Sequence, residues 1–199
     1  MILAFVSFAA GATLLVVGRR GNSRIFTLPV REQLAAIAQN LAVWRWANLL
    51  MGLAAVLLVA GMGVLAAMLA TADERWWSRA ALAVLTLAAV LWVAFSAFRA
   101  ISTPVAAVQL AETGQLPASY EPSARWATLG FRAYVLLGSL ALAGFGVSLL
   151  STRVVPGWAA WVMIAFSLAV LAHFLFTGDT LPGFHYLPPV LLAILLYTG

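Results

Sequence analysis

The sequence predicts an all-α fold, a polytopic bundle of transmembrane helices with about six spans. Hydrophobic residues make up 64% of the 199 residues and charged residues only 9%, and the mean hydropathy is +1.03. Soluble domains are about 25% charged, so this composition excludes a water-soluble globule. Apolar runs of the length that crosses a bilayer recur along the whole chain, which we treat as a single membrane domain, residues 1–199.

The spans follow from the apolar runs, because a bilayer core about 30 Å thick needs roughly 20 apolar residues in a helix. The sixth run is short, and it reaches about 27 Å only if its helix begins near Pro182. The runs are 2–18, 49–70, 80–98, 129–150, 158–176 and 187–197.

Arginine distribution predicts the orientation of these spans. Arg19 and Arg20 follow the first run, whereas a secretion signal has its basic residues before the run, so we expect a retained helix. With the N-terminus outside, eight arginines lie on the cytoplasmic side and three on the other, as the positive-inside rule requires. This predicts a protein of a bacterial inner membrane with both termini outside the cytoplasm. The eight are Arg19, Arg20, Arg24, Arg31, Arg45, Arg99, Arg125 and Arg132, and the three are Arg75, Arg79 and Arg153.

Two longer connections fall on the predicted cytoplasmic side. Residues 31–47 are amphipathic at helical spacing, which predicts a helix in the plane of the interface. The apolar arc of this helix consists of Leu34, Ile37, Leu41 and Trp44.

The second connection is residues 102–124. Thr103 is a candidate N-cap with Pro104 at the first helical position, and Gly114 is placed to end that short helix.

An internal similarity predicts a parallel two-helix repeat. Residues 45–49 and 125–129 agree at four of five positions and open the second and fourth spans. Spans 2–3 and 4–5 would then be copies related by an axis along the membrane normal. The alternative is chance similarity, because Ala, Leu and Val dominate every span. We also expect a close crossing of spans two and four at their glycines. These are Gly52, Gly61, Gly63, Gly138, Gly144 and Gly146.

Two absences exclude whole classes of chemistry. The sequence has no cysteine, which excludes disulfides, thiolate nucleophiles and iron–sulfur clusters. All eleven basic residues are arginine, which excludes a lysine Schiff base and a P-loop lysine. The formal charge of +5 is explained by anchoring to anionic lipid, so we expect the bilayer as a partner and not nucleic acid.

Four polar residues are the candidate site. Arg99 and Asp179 end the third and fifth spans on the same predicted side, while Arg132 lies inside the fourth span and His173 inside the fifth. Paired with one another they would form a cytoplasm-facing polar pocket. The alternative is that both arginines reach lipid phosphates and that Asp179 lies in a solvated loop.

Cofactor and catalytic sites are expected to be absent. His173 is a weak candidate for haem or pigment binding, with His185 as a conceivable second axial ligand. Ser139 and His173 satisfy the minimum for an intramembrane serine protease, but no oxyanion donor is evident. Seven of the eight tryptophans lie near predicted helix ends, as expected of an interfacial belt, and Trp92 lies inside a span.

These features predict a non-enzymatic accessory or structural subunit that packs against other membrane proteins, lipids or further copies of itself. The alternative is a small-molecule transporter or channel that uses the polar pocket. A third, weaker hypothesis is a haem-binding or pigment-binding membrane subunit.

Overall fold

A computed structural model describes residues 1–18, 28–72 and 76–198, and all of their regular structure is helical. Four of the helices are long and apolar enough to cross a membrane, and the first and last are shorter apolar helices. A 3-10 helix, Pro182–Tyr186, leads directly into the last α-helix. The α-helices are α1 (Ile2–Gly18), α2 (Val30–Ala38), α3 (Leu41–Thr71), α4 (Trp77–Thr113), α5 (Tyr120–Thr152), α6 (Gly157–Thr177) and α7 (Leu187–Thr198).

The helices form a bundle in which neighbours in sequence are mostly neighbours in space. α3, α4, α5 and α6 pack in that order, α1 packs on α3, and α2 packs mainly on α4. α7 contacts both α1 and α6, and the 3-10 helix contacts α1 and α5. The 3-10 helix therefore lies against the inner sides of helices from both halves of the chain.

The amphipathic stretch 31–47 differs from its prediction, because it forms parts of two helices. α2 ends at Ala38, and Asn40 has a non-helical backbone (φ −153°, ψ 61°) before α3 begins. Leu34 and Ile37 are buried. Because α2 packs on α4, its apolar face is covered by protein, whereas an interfacial helix buries that face in lipid.

The connection 102–124 is also largely helical. α4 continues through Thr103 and Pro104, both buried, so no new helix begins there. Gly114 does end the helix, as predicted, in the left-handed conformation (φ 71°). α5 begins at Tyr120, so the non-helical connection is reduced to 114–119.

α4 and α6 end with the same local structure. Thr113 donates its hydroxyl to the carbonyl of Gln109, and Thr177 does the same to the carbonyl of His173. In each case the threonine oxygen also accepts a backbone N–H from two residues further on. The glycine that follows each threonine takes a positive φ, which favours glycine because it has no Cβ. Such ends satisfy carbonyls that the helix leaves free.

Five of the six glycines lie against a neighbouring element and Gly63 does not, but the predicted crossing of spans two and four is wrong. α3 and α5 have few contacts with each other. A Cβ at Gly146 would lie 2.5 Å from Cγ1 of Ile164 on α6, and one at Gly61 would lie 2.7 Å from the backbone nitrogen of Met1. Each of these glycines therefore serves a different helix pair.

The exposed tryptophans form two groups at opposite ends of the bundle. Trp46 and Trp126 lie near the starts of α3 and α5, and we call this end of the bundle the arginine-rich end. The other group lies near the starts of α4 and α6, at the opposite end. Residues 126–152 of α5 rise about 39 Å, close to the thickness of a bilayer with its headgroups. Trp44 departs from the predicted belt because it is buried beneath α4. The second group consists of Trp76, Trp77, Trp158 and Trp161.

Candidate functional site

A buried polar pair lies where the 3-10 helix meets α5. The hydroxyl of Ser139 and Nε2 of His185 are 3.0 Å apart, and both side chains are almost fully buried. A Cβ at Gly138 would lie 3.2 Å from Cδ2 of His185, so a glycine at this position leaves the space that the imidazole occupies. Buried polar groups in the interior of a membrane protein are costly and are candidates for function.

Aromatic rings surround this pair. The Tyr134 ring lies 5.1 Å from the His185 ring and 4.7 Å from the Trp92 ring, and Tyr186 stacks on Phe8 of α1 at 4.8 Å. Trp92 donates its indole N–H to the carbonyl of Met51 on α3 at 2.9 Å. Side chains from α1, α4, α5 and the 3-10 helix, together with a backbone carbonyl of α3, thus form one layer across the bundle.

Three polar atoms of this layer have no hydrogen-bond partner within the described residues. They are Nδ1 of His185 and the hydroxyls of Tyr134 and Tyr186. The two hydroxyls face each other, and the imidazole lies near the carbonyls of Val135 and Pro182, but none of these approaches has standard hydrogen-bond geometry. Buried polar atoms are nearly always satisfied in proteins, so this layer is the most unusual polar environment in the described interior.

The pairing Ser139–His185 replaces the sequence-based pairing of Ser139 with His173. A serine hydroxyl within hydrogen-bond reach of a histidine is the minimum for an activated nucleophile. However, Ser139 lies in the middle of α5, where neighbouring backbone N–H groups are used by the helix and cannot form an oxyanion hole. The geometry therefore favours a structural or conformational role for this pair over nucleophilic catalysis.

The two histidines lie in different environments. His173 is exposed on α6, whereas His185 is only 3% exposed. One imidazole therefore lies on the surface of the bundle and the other in its interior.

Arg99 packs against α3 near the arginine-rich end. Its guanidinium lies 4.5 Å from the centroid of the Trp44 ring and 5.4 Å from that of Phe95. Trp44 in turn donates its indole N–H to the backbone carbonyl of Arg99 at 2.6 Å. A cation over an aromatic face is stabilised by the ring quadrupole, so Trp44 holds Arg99 on the α3 side of α4.

The other three predicted pocket residues are exposed, and the structure places them on α5 and at the end of α6. Arg132 lines a groove that includes none of the other three. Asp179 follows the end of α6, where its carboxylate accepts a hydrogen bond from the backbone N–H of Thr180 at 2.8 Å. A pocket shared by Arg99, Arg132, His173 and Asp179 stays a prediction.

Sequence reasoning missed the roles of His185, Tyr134 and Tyr186. The available signal was the sequence around His185, which lies between Pro182 and Pro188 before the shortest span. An interrupted helix beside an ionisable residue marks binding sites in other membrane proteins.

The chain matches no protein-family model, no curated protein and no solved structure.

Proposed function

We propose that this chain is a non-enzymatic, multi-pass membrane subunit that works by packing against another membrane protein or a second copy of itself. The observation that supports this most directly is an uncovered face of α6 with a histidine on it. The face consists of Trp158, Trp161, Ala165, Leu168, Ala169, Ala172, His173 and Phe176, all of them exposed.

Small residues dominate the middle of this α6 face. Ala165 and Ala169 are one turn apart, and Ala172 continues the row. Alanines at this spacing let a second helix approach closely, and such contacts drive helix association in lipid. The face therefore has the composition of a helix–helix interface.

His173 adds a polar group to the same face. Its side chain makes no hydrogen bond within the described residues, and only its backbone carbonyl is used, by Thr177. An imidazole that faces hydrocarbon without a partner is unfavourable, whereas a carbonyl or hydroxyl of a neighbouring helix would satisfy it. A partner helix on α6 explains both the alanines and the histidine.

The absence of cysteine makes a direct test possible. Ala169→Cys gives a single thiol on the α6 face, and oxidation in native membranes should produce a disulfide-linked dimer if the partner is a second copy. Ala94→Cys, exposed on α4, is the matched control and should stay monomeric. A heterologous partner would instead be retained on purification in mild detergent. A monomer that neither cross-links at Ala169 nor retains another membrane protein would refute the proposal.

His173→Leu tests the polar contribution to that contact. We expect it to lower the cross-linking yield of Ala169→Cys, whereas His173→Gln should preserve more of it because an amide can still hydrogen-bond. Equal cross-linking yields with His173, His173→Leu and His173→Gln would show that His173 does not contribute to the interface.

The proposal includes six spans, with α1 as the first and Pro182–Thr198 as the last. The last segment combines five 3-10 residues and twelve α-helical residues, which together rise about 28 Å. Under the positive-inside rule the arginine-rich end is cytoplasmic and both termini are outside, in a bacterial inner membrane.

The parallel repeat stays a prediction. The pairs α3–α4 and α5–α6 are both helical hairpins, but α4 has 37 residues and α6 has 21.

The second candidate function is a small transporter or channel. It is favoured by the 3-10 helix Pro182–Tyr186 at the start of the last segment, which brings His185 against Ser139 in the bundle interior. Irregular backbone at membrane depth is tolerated where protein or a water-filled path surrounds it, and transporters use such breaks at their binding sites.

Proteoliposomes loaded with a pH-sensitive dye test this second candidate. A proton flux in the wild-type chain that His185→Gln abolishes would support it. Arg99→Ala and Asp179→Ala test the predicted polar pocket in the same assay. Flux indistinguishable from empty liposomes would count against proton transport by this chain.

A further inference from the structure

A groove at the arginine-rich end contains three arginines. It runs between the start of α2 and the start of α5, and has a volume of about 530 Å³ where Arg125 and Arg132 line it. An adjoining groove of about 570 Å³ shares Glu121 and Arg125 and extends to Arg31. Because they share these two lining residues, we treat the two together and call them the arginine groove.

The positive charge of the arginine groove is not neutralised by the protein. Its ionisable lining is Arg31, Arg125, Arg132 and Glu121, which leaves a formal charge of +2. Within the described residues, Arg125 and Arg132 make no hydrogen bond or salt bridge, and Arg31 donates only to the carbonyl of Gly114 at 3.1 Å. Three guanidinium groups are therefore available to an anion.

The spacing of these arginines suits a phosphate group at the membrane surface. Arg125 and Arg132 are seven residues apart on α5, which places them on the same face about 10 Å apart along the axis. Long arginine side chains extend towards the polar surface, so Arg132, the deeper of the two, reaches in the direction of Arg125. Guanidinium binds phosphate oxygens through pairs of parallel hydrogen bonds.

Part of the wall of the arginine groove is apolar and exposed. Val30 is 40% exposed and Leu129 is 52% exposed, and both lie beside the arginines. Trp126 is 75% exposed at the same end of α5 and has the amphipathic character of residues at the headgroup level. A ligand that covers these walls has an anionic group and a hydrocarbon chain, which distinguishes a phospholipid from a free phosphate.

We propose that the arginine groove is a specific binding site for the headgroup of an anionic phospholipid, with the acyl chains lying along Leu129 and Val30. Arg125 and Arg132 hold the phosphate, and Arg31 contacts the polar end of the headgroup. Basic pockets between helices on one side of a membrane protein bind anionic headgroups in this way.

Native mass spectrometry of the purified full chain tests this site. The probes are phosphatidylglycerol, whose headgroup is anionic, and phosphatidylethanolamine, whose headgroup is zwitterionic, with identical acyl chains so that the two lipids differ only in the headgroup. We expect preferential retention of phosphatidylglycerol. Arg125→Gln and Arg132→Gln should each weaken it about fivefold, and the double variant should weaken it more than either single variant does.

Two matched controls separate the groove from general surface charge. Arg45→Gln removes an exposed arginine at the same end but outside the groove, and Arg79→Gln removes one near the start of α4. Both should bind phosphatidylglycerol as the wild-type chain does. An equal loss in Arg45→Gln would overturn the proposal, as would equal retention of the two lipids. Displacement by excess inorganic phosphate would show a free-anion site instead and would also overturn it.

Discussion

Ser139 and His185 are 46 residues apart in sequence, yet their side chains meet at 3.0 Å in the interior of the bundle. The contact joins the middle of α5 to the 3-10 helix that begins the last apolar segment. Because a 3-10 helix has weaker hydrogen-bond geometry than an α-helix, its position depends on such side-chain contacts. The pair thus fixes the last segment against the bundle.

Removing this hydrogen bond should destabilise the fold. Ser139→Ala leaves His185 buried without a partner, and we expect a loss of about 1 kcal/mol in the free energy of unfolding. His185→Ala also removes a packed ring and should cost about 3 kcal/mol. Unfolding in mixed detergent micelles measures both.

Thr86→Ala is the control for the Ser139 substitution, because Thr86 is exposed and bonds only within its own helix, to the carbonyl of Leu82. We expect almost no change in its unfolding free energy. If Ser139→Ala is equally neutral, the hydrogen bond to His185 does not contribute to stability.

The close contact of α5 and α6 at Gly146 should not tolerate a methyl group. A Cβ there would lie 2.5 Å from Ile164 and 3.0 Å from the carbonyl of Ala160, so backbone must shift. We expect Gly146→Ala to cost about 2 kcal/mol of stability. A Cβ at Gly63 would meet nothing within 4 Å, so Gly63→Ala should be neutral or slightly stabilising. Thermal unfolding measures both variants. Similar melting temperatures for both variants would contradict this contact.

The buried indole of Trp92 should contribute more to stability than an exposed one. Trp92→Phe loses the hydrogen bond to the carbonyl of Met51 and part of the packing against Tyr134. We expect it to lower the free energy of unfolding by about 2 kcal/mol. Trp126→Phe, at a site 75% exposed, should change the unfolding free energy little. Loss of the buried indole should shift the remaining tryptophan emission to longer wavelength in the first variant, and loss of the exposed indole should shift it to shorter wavelength in the second.

The proposed orientation can be tested with single cysteines. Gln115→Cys lies between α4 and α5 at the arginine-rich end, and Thr198→Cys lies at the end of α7. In intact cells stripped of the outer membrane, an impermeant maleimide should label Thr198→Cys, and should label Gln115→Cys only after lysis. The reverse pattern would show that the orientation is opposite to the proposed one. Labelling of both sites from outside would contradict an odd number of spans between them.

The sequence by itself determined the helical class, the four long apolar helices and the glycine that ends α4. These depend on composition, on run length and on the freedom of glycine to take a positive φ, all of which are local. The break at Asn40 inside the predicted helix 31–47 and the start of α5 at Tyr120 inside the predicted connection 102–124 were missed, because helix propensity and capping residues are weak where packing against a neighbouring helix decides the boundary.

Only the tertiary structure decided which side chains meet. Lipid tails are as apolar as leucine, so an apolar pattern does not show which face of a span is inside the bundle and which faces lipid. The sequence therefore favoured His173, which lies inside a span, over His185, although His173 lies on an exposed face and His185 is buried against Ser139. The packing of α1, α5 and the 3-10 helix around one layer is what buries His185.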